Sequence, residues 1–508
     1  MPYVRTVKTS SGAVAVQIVY SFHRGSRQIE HIGSAHDDAG VELLKAVARQ
    51  RLAAGQGVLE LGPGFGAAGG AALPITSSRM GVLLDALVRG YEVLGLGRAA
   101  GRDEVFRQLV TARIIEPVSK LDSLRVLEEA GVVPPSYATV KRRLPVYAKD
   151  AFRQGLSAAC AAHARLGRAT LVLYDVTTLY FETDEGDGFR ESGFSKERRL
   201  EPQITVGLLT GADGFPLMVS AFEGNRAETK TMLPVIEAFM TAHQLPDVTI
   251  VADAGMVSDA NRTAIEAAGL SFILGARIPD VPYPVAQWRR EHPGEQIGDG
   301  QVFTLRWPAL EGSGRRDQVF YYQYKADRAR RTLRGIDEQV KKAEQAVSGK
   351  TPVKRNRFVQ LSGGTKTVNR GLEEKARALA GLKGYVTNLQ ACPDGTKLTP
   401  EFVISAYHQL FQAEKSFRMA KSDLQARPVY HHLRDSIEAH LTIVFAALAV
   451  SRWIETTTGW SIRRFVKTAR RYRTIEIQAG DHTITAADPL PADLSQALSQ
   501  IHHNDGAH

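Results

Sequence analysis

The chain has 508 residues, 44% of them hydrophobic and 23% charged, with a formal net charge of +10. That length holds about three domains of ordinary size, and the apolar content excludes disorder as the main state. The best apolar run, residues 441–450, falls short of the ~18 residues of a membrane span, and two cysteines with no CxxC or Cys/His metal spacing exclude a disulfide scaffold or a zinc ribbon.

The expectation is a soluble chain with no membrane partner. Residues 1–11 lack the apolar core of a signal peptide, which makes the cytoplasm the expected compartment. Lysine and arginine outnumber acids by 64 to 54, a balance that favours a polyanionic partner such as nucleic acid.

Residues 1–33 alternate in the manner of strands (Val14, Val16, Ile18, Tyr20), and residues 41–52 carry helical spacing. A small β/α unit is predicted over 1–56. The following Val58-Leu59-Glu60-Leu61-Gly62-Pro63-Gly64-Phe65-Gly66 resembles the first motif of methyltransferases that bind S-adenosylmethionine. Gly69, Gly70 and Pro74 then disfavour the helix that such a motif opens, and Asp85 lies in a helical pattern instead of ending a strand. A Gly-rich linker over 57–80 is the better reading. Residues 81–166 are helical throughout. Within them, 119–130 and 136–144 are two short helices joined by Gly131-Val132-Val133-Pro134-Pro135, and the second carries Lys141, Arg142 and Arg143. That pattern suits a helix-turn-helix on DNA and equally an all-α packing domain with a solvated basic turn.

At residue 169 an apolar run begins that ends in Asp175. Further strands follow at 203–210 and 215–222, joined by the hairpin turn Gly211-Ala212-Asp213-Gly214. A helix over 228–243, a buried strand over 248–252 ending at Asp253, a helix over 259–268 and a strand over 270–276 complete the segment. The order β-β-β-α-β-α-β is that of a ribonuclease-H-like core, an α/β fold with a mixed five-stranded sheet. Asp175 and Asp253 fall on its first and fourth strands, which are neighbours in such a sheet. Paired carboxylates repel unless a cation neutralises them, and two Mg²⁺ ions are the standard solution in phosphoryl transfer. On their own the two are equally readable as ordinary strand-end acids.

A third acid tips the balance. Residues 400–424 form a predicted helix with a core stripe of Ala406, Leu410, Ala413, Phe417, Ala420 and Leu424. Tyr407, Glu414 and Lys421 recur every seven residues and share another face. Lys421 is too far from Glu414 for a helical ion pair, which leaves it for a phosphate.

These residues resemble those of insertion-sequence DDE transposases, whose last catalytic helix carries the signature Y-(2)-R-(3)-E-(6)-K. Tyr407, Glu414 and Lys421 match it, and Leu410 stands at the arginine position. Tyr174-Asp175-Val176-Thr177-Thr178, the basic loop Gly193-Phe194-Ser195-Lys196-Glu197-Arg198-Arg199, Glu223-Gly224-Asn225 and Ala252-Asp253-Ala254-Gly255-Met256 are similar to the same group. The resemblance covers roughly 168–278 and 384–430. It implies an enzyme that cleaves DNA at the terminal inverted repeats of its own element and joins the 3′ ends to target DNA. Asp175, Asp253 and Glu414 would be catalytic and hold two Mg²⁺ ions, with Mn²⁺ as a substitute. Tyr407, Lys421, Arg418, Lys196, Arg198 and Arg199 would contact DNA. It also implies a homodimer on DNA and a bacterial cytoplasmic protein, nucleoid-associated when bound.

The core is then split: a first part over 167–278, an insertion domain over 279–383 and a second part with the catalytic helix over 384–455. Within the insertion, 301–305 and 318–324 read as strands and 325–347 as a charged helix. Trp288 and Trp307 are candidates for stacking on a flipped base, which the resemblance implies, or for packing. The acids of Asp184-Glu185-Gly186-Asp187 read as a solvated loop. Residues 431–455 read as a buried helix. In the C-terminal region, 456–508, residues 461–473 place Arg463, Arg464, Lys467, Arg470 and Arg471 on one helical face suited to DNA or an acidic partner. The histidines at 502, 503 and 508 have no metal spacing. A related metal-dependent nuclease, a catalytically silent DNA-binding descendant and a glycoside hydrolase are the alternatives; the last accounts for neither the charge nor Lys421.

Overall fold

The structure is a computed structural model that describes all residues except 1, 10–11, 22–26, 54–72, 167–169, 184, 194–200, 227–229, 244–247, 254–258, 310, 313–314, 353–355, 363–364, 428, 430–431, 480–481 and 504–508. The motif at 58–66 and the basic residues Lys196, Arg198 and Arg199 lie outside the described residues.

The chain begins with β1 (Tyr3–Lys8), β2 (Val14–Ser21), β3 (Arg27–Ala35), α1 (Asp38–Ala53) and β4 (Ile75–Arg79). Helices α2 (Gly81–Val93), α3 (Leu96–Ala99), α4 (Glu104–Ile115), α5 (Asp122–Ala130), α6 (Tyr137–Tyr147) and α7 (Asp150–His163) follow. Then come β5 (Thr170–Tyr180), β6 (Gln203–Gly211), β7 (Pro216–Glu223), α8 (Met232–His243), β8 (Val248–Ala252), α9 (Asp259–Ala267) and β9 (Ser271–Ala276), in the predicted order. The next stretch holds α10 (Tyr283–Glu291), β10 (Val302–Trp307), β11 (Gln318–Tyr324), α11 (Ala326–Val347), β12 (Val359–Ser362), β13 (Thr365–Val368) and α12 (Arg370–Ala378). Last are β14 (Leu382–Thr387), α13 (Pro400–His408), α14 (Leu410–Ser422), α15 (Arg434–Thr458), α16 (Ile462–Ala469), β15 (Thr474–Ala479), β16 (His482–Ala487) and α17 (Ala492–His503).

The chain divides into two compact units, one from residues 1–89, 121–135 and 457–505 and one from 90–120, 136–456 and 506–508. In the first, β1, β2 and β3 form an antiparallel meander. Its alternation buries Val16 and Ile18 against Val41 and Ala48 of α1. A second sheet, in the order β16-β15-β4, draws on both ends of the sequence. The predicted linker therefore ends in a strand, because Ile75–Arg79 has β15 as a partner far along the chain. Arg473 fixes the junction by donating from Nε to Ser78 Oγ at 2.7 Å and from Nη2 to the Ser78 carbonyl at 2.8 Å. Helix α5 stops at Gly131, whose φ of 84° suits glycine, and an added Cβ would lie 2.6 Å from the Arg79 backbone. Helix α16 starts at Ser461, which accepts the Arg464 N–H. It buries Ile462, Phe465, Val466 and Ala469 and leaves Arg463, Arg464 and Lys467 exposed. It ends earlier than predicted, so Arg470 and Arg471 lie beyond it.

The second unit is built on an eight-stranded mixed sheet in the order β10-β11-β14-β9-β8-β5-β6-β7. Only the β5–β8 and β8–β9 pairs are parallel. The two strands predicted in the insertion, β10 and β11, join this sheet, since β11 pairs with β14 and β14 with β9, while β12 and β13 of the same stretch pair with each other as a separate two-stranded sheet. Leu173, Val251, Ile273 and Tyr385 project from one face of this sheet into a core shared with Val403, Ile404, Ala406, Tyr407, Leu410 and Ala413 of α13 and α14. Tyr174 projects the other way and its hydroxyl donates to Thr231 Oγ1 at 3.0 Å; a Cβ on Gly207 would lie 2.3 Å from that hydroxyl, so any larger residue there would displace the tyrosine from this bond. Helix α15 is long and apolar enough to cross a membrane by length and composition, and its most apolar window is wholly buried inside the fold.

Asp103 organises the helices of this unit. It caps α4 by accepting the Phe106 N–H at 3.1 Å, binds the Arg143 guanidinium and accepts the Tyr147 hydroxyl at 3.1 Å. Of the three basic residues read as a candidate DNA contact on α6, Arg143 is thus tied into the fold, while Lys141 and Arg142 are exposed.

Candidate active site

The site follows from the register of parallel strands. Leu173 of β5 pairs with Val251 of β8. Asp175 stands two residues further along β5 and Asp253 two residues beyond Val251, just past the end of β8, so the register directs both toward the face that carries Leu173 and Val251. Val251 also pairs with Ile273 of β9, and Gly275 of β9 with Tyr385 of β14. A row therefore crosses the sheet: Asp175, Asp253, Gly275, Tyr385.

Helices α13 and α14 lie over that row. Thr399 caps α13 by accepting the Phe402 N–H, with Pro400 in the first turn, where its missing N–H costs nothing. The single predicted helix over 400–424 is broken at Gln409. There the Gln412 N–H bonds the Gln409 carbonyl at 2.7 Å, three residues back, which tightens the turn. Beyond the break Leu410, 8% exposed, packs in the core, so its side chain is turned to the protein interior.

Across the break the helices still present the expected side chains. The Tyr407 hydroxyl donates to Asp253 Oδ1 at 2.5 Å, and its ring meets Tyr385 edge-on at 5.1 Å. Burial pushes its phenol well above the ordinary range, helped by the bond to Asp253 and by the charges of Asp253 and Glu414. Asp175 Oδ1 accepts the Val176 N–H at 2.8 Å. Glu414 and Arg418 are exposed on α14, and Lys421 is half-buried near its end.

Sequence reasoning missed a group on β14. Lys383 Nζ sits 4.4 Å above the Tyr407 ring and 5.8 Å above that of Tyr385. Burial draws its ammonium below the ordinary lysine range and the Arg328 charge adds to this, against the pull of Asp253 and Glu414. Arg328 is held by the carbonyls of Gln323 and Gly381, at 3.3 and 3.2 Å. His408 is kept below its usual range by burial and then by Lys383, Arg328 and Lys325. Of these cations it is Lys383 whose charge meets those of Asp253 and Glu414. The available signal was a lone lysine beside the buried Tyr385, at the boundary where the insertion was expected to end.

The tryptophans part company. Trp288 stacks on His292 at 4.7 Å and packs against the cluster of Val285, Phe303, Tyr322 and Leu382. Trp307 is 62% exposed and, with Arg262, Arg315, Arg316 and Phe320, lines a cavity of about 190 Å³.

Residues 167–450, more than half of the chain, match the model of the transposase DDE domain. The chain belongs to that family. The transposase is an enzyme that cuts DNA and transfers strands, with DNA as its partner and divalent metal ions as its requirement. No curated protein matches the sequence. Among similar solved structures is a cryo-electron microscopy structure of the piggyBac transposase synaptic complex with hairpin DNA, at 8% identity over 76% of this chain and 70% of that chain, with a TM-score of 0.37. So distant a likeness carries no argument about function.

The donor set suits the metal requirement by its chemistry, since aspartate and glutamate oxygens are the ligands that hard divalent cations take. Among the described residues, no three acid, histidine or cysteine side chains already converge as a metal-holding group.

Proposed function

We propose that the transposase serves an insertion sequence, binding the terminal inverted repeats of its element, cutting at their ends and joining the freed 3′ ends to target DNA. The observation that carries this reading is the bond from the Tyr407 hydroxyl to Asp253, which follows the end of β8, the strand set parallel to β5 of Asp175 by the Leu173–Val251 register. The strand order β7-β6-β5-β8-β9 supports a ribonuclease-H-like core within the larger sheet.

Asp175, Asp253 and Glu414 would hold two Mg²⁺ ions, for which Mn²⁺ substitutes. When bound, such ions neutralise charge on the phosphate and activate the attacking oxygen. In cleavage, a water oxygen bonds to phosphorus as the bond to the 3′ oxygen breaks, releasing a 3′-hydroxyl. In joining, that hydroxyl attacks a target phosphodiester, and one phosphoester bond forms as another breaks. No nucleotide cofactor is needed because the number of bonds is conserved.

The protein's own share is positioning. Tyr407 holds one oxygen of Asp253. Lys421 and Arg418 would bind backbone phosphates near the transferred end, and the exposed Arg463 and Lys467 of α16 would bind phosphates of the duplex. The basic loop with Lys196, Arg198 and Arg199 is assigned to the same task. Trp288, already packed, is a supporting residue in this scheme. The cellular setting is the bacterial cytoplasm at the nucleoid, and the working form on DNA is a homodimer, because two element ends must be cut together.

The test is cleavage and joining of a duplex bearing the element's terminal repeat, with Mg²⁺ or EDTA, by wild type and Glu414→Gln. Metal-dependent nicking and joining that the variant loses is the expected result. Equal cutting by both proteins would remove Glu414 from the site.

A further inference from the structure

The cation that the helix lacks stands on the neighbouring strand. Leu410 lies in the core, so α14 supplies no positive group between Tyr407 and Glu414. Lys383 and Tyr385 are two residues apart on β14 and therefore share a face, the face that Asp175 and Asp253 also occupy. The Lys383 ammonium lies 4.4 Å above the ring of the tyrosine whose hydroxyl binds Asp253. Its field reaches both Asp253 and Glu414.

Lys383 nevertheless makes no ion pair among the described residues. Among the described residues, no carboxylate lies within 4.0 Å of its Nζ. A half-buried ammonium with three N–H donors, held by aromatic faces beside two acids it does not touch, is placed for an anion that arrives between them.

We propose that Lys383 binds a non-bridging oxygen of the phosphate at which the strand is cut, steering the phosphate against Asp253 and Glu414. This rests on the assignment of those acids to the active site. Lys383 takes no proton in the reaction; it holds charge.

The experiment uses the full-length chain and a terminal-repeat duplex whose cut position has been mapped with wild type. Lys383→Gln, Lys383→Arg and Glu414→Gln are compared on the natural phosphate and on a neutral methylphosphonate at that position. Affinity is read in EDTA, where no strand is cut, and cleavage in Mg²⁺. Melting temperatures report the folding of each variant. Lys383→Gln should lose roughly 10- to 100-fold in affinity and cleavage on the natural duplex, the size of a charge-assisted hydrogen bond. Lys383→Arg should recover most of it. The affinity gap between wild type and Lys383→Gln should close on the methylphosphonate, which a merely structural lysine would not do. A gap of unchanged size there, or wild-type cutting by Lys383→Gln while Glu414→Gln is dead, overturns the proposal and leaves the acids in place. Wild-type cutting by Glu414→Gln overturns the assignment of the acids, and the lysine's role with it.

Discussion

The hydroxyl of Tyr407 is bonded to Asp253 Oδ1 at 2.5 Å, joining the first helix over the site to the end of the fourth core strand. Tyr407→Phe keeps the edge-on contact with Tyr385 and removes only the donor. We expect strand cleavage to fall about 10-fold, as for one charge-assisted hydrogen bond, with the melting temperature nearly unchanged. Rate and melting data on the same preparation check this; a large loss of stability would mean that the bond serves the fold instead.

On the proposed assignment Asp175 and Asp253 hold metal ions, and ions that bind only the folded state raise its melting temperature. Titrating Mg²⁺ should raise the melting temperature of wild type, and Asp175→Asn should blunt the rise. Equal shifts in both proteins would place the ions elsewhere.

Asp103 caps α4 and binds Arg143 and Tyr147, and its side chain is 4% exposed. Asp103→Ala removes a cap, worth about 1 kcal/mol, and charge-assisted bonds of about 1.5–3 kcal/mol. Chemical denaturation should report a loss of about 2.5–4 kcal/mol, the sum of the two. A loss below about 1 kcal/mol, less than the cap by itself, would show that the network contributes little.

His163 and His243 are both held below the ordinary histidine range, chiefly by burial. His243 Nε2 faces Ser157 Oγ at 3.1 Å. A histidine with a lowered folded pKa binds its proton more readily when unfolded. Its stabilisation is therefore complete above about pH 6.5, the unfolded value, and is lost as pH falls through the lower folded value. Melting curves taken from about pH 7.5 down to about pH 5, a span that brackets the unfolded value, should show a fall that His243→Gln reduces. An unchanged slope in the variant would remove His243 from the account.

Arg464 is tied down by an ion pair with Asp493 at 3.2 Å and lies 3.7 Å above the Trp460 ring, whereas Arg463 and Lys467 are exposed. Arg463→Gln with Lys467→Gln should weaken DNA binding on any sequence and lower the slope of log affinity against log salt by about 2, one for each phosphate no longer neutralised. An unaltered slope would mark this helix face as solvated surface.

Much of the catalytic unit was legible in the sequence because its signals are local. Alternating and continuous apolar runs mark each of the strands β5 to β9, and the spacing of Asp175 and Asp253 matches the register that pairs Leu173 with Val251. What escaped was long-range pairing. Nothing in Gln318–Tyr324 says that it joins the same sheet through β14, and nothing in Ile75–Arg79 says that its partner is β15. The break at Gln409 escaped because the core stripe runs through it without a proline or glycine. Lys383 escaped because its meaning lies in Tyr407, which comes to it only through the fold.

The way β14 is built into the sheet bears on how the enzyme comes into being. On the proposed assignment, two of the acids are present once the chain has passed β8, but the third rides on α14, which packs against β5 and β6 and follows α13, the helix laid against β9 and β14, so it is made only after all the intervening strands. A nascent or prematurely ended chain would carry the aspartates without their glutamate. On that assignment such a fragment would lack the third metal-holding acid, and cutting would await the complete sheet.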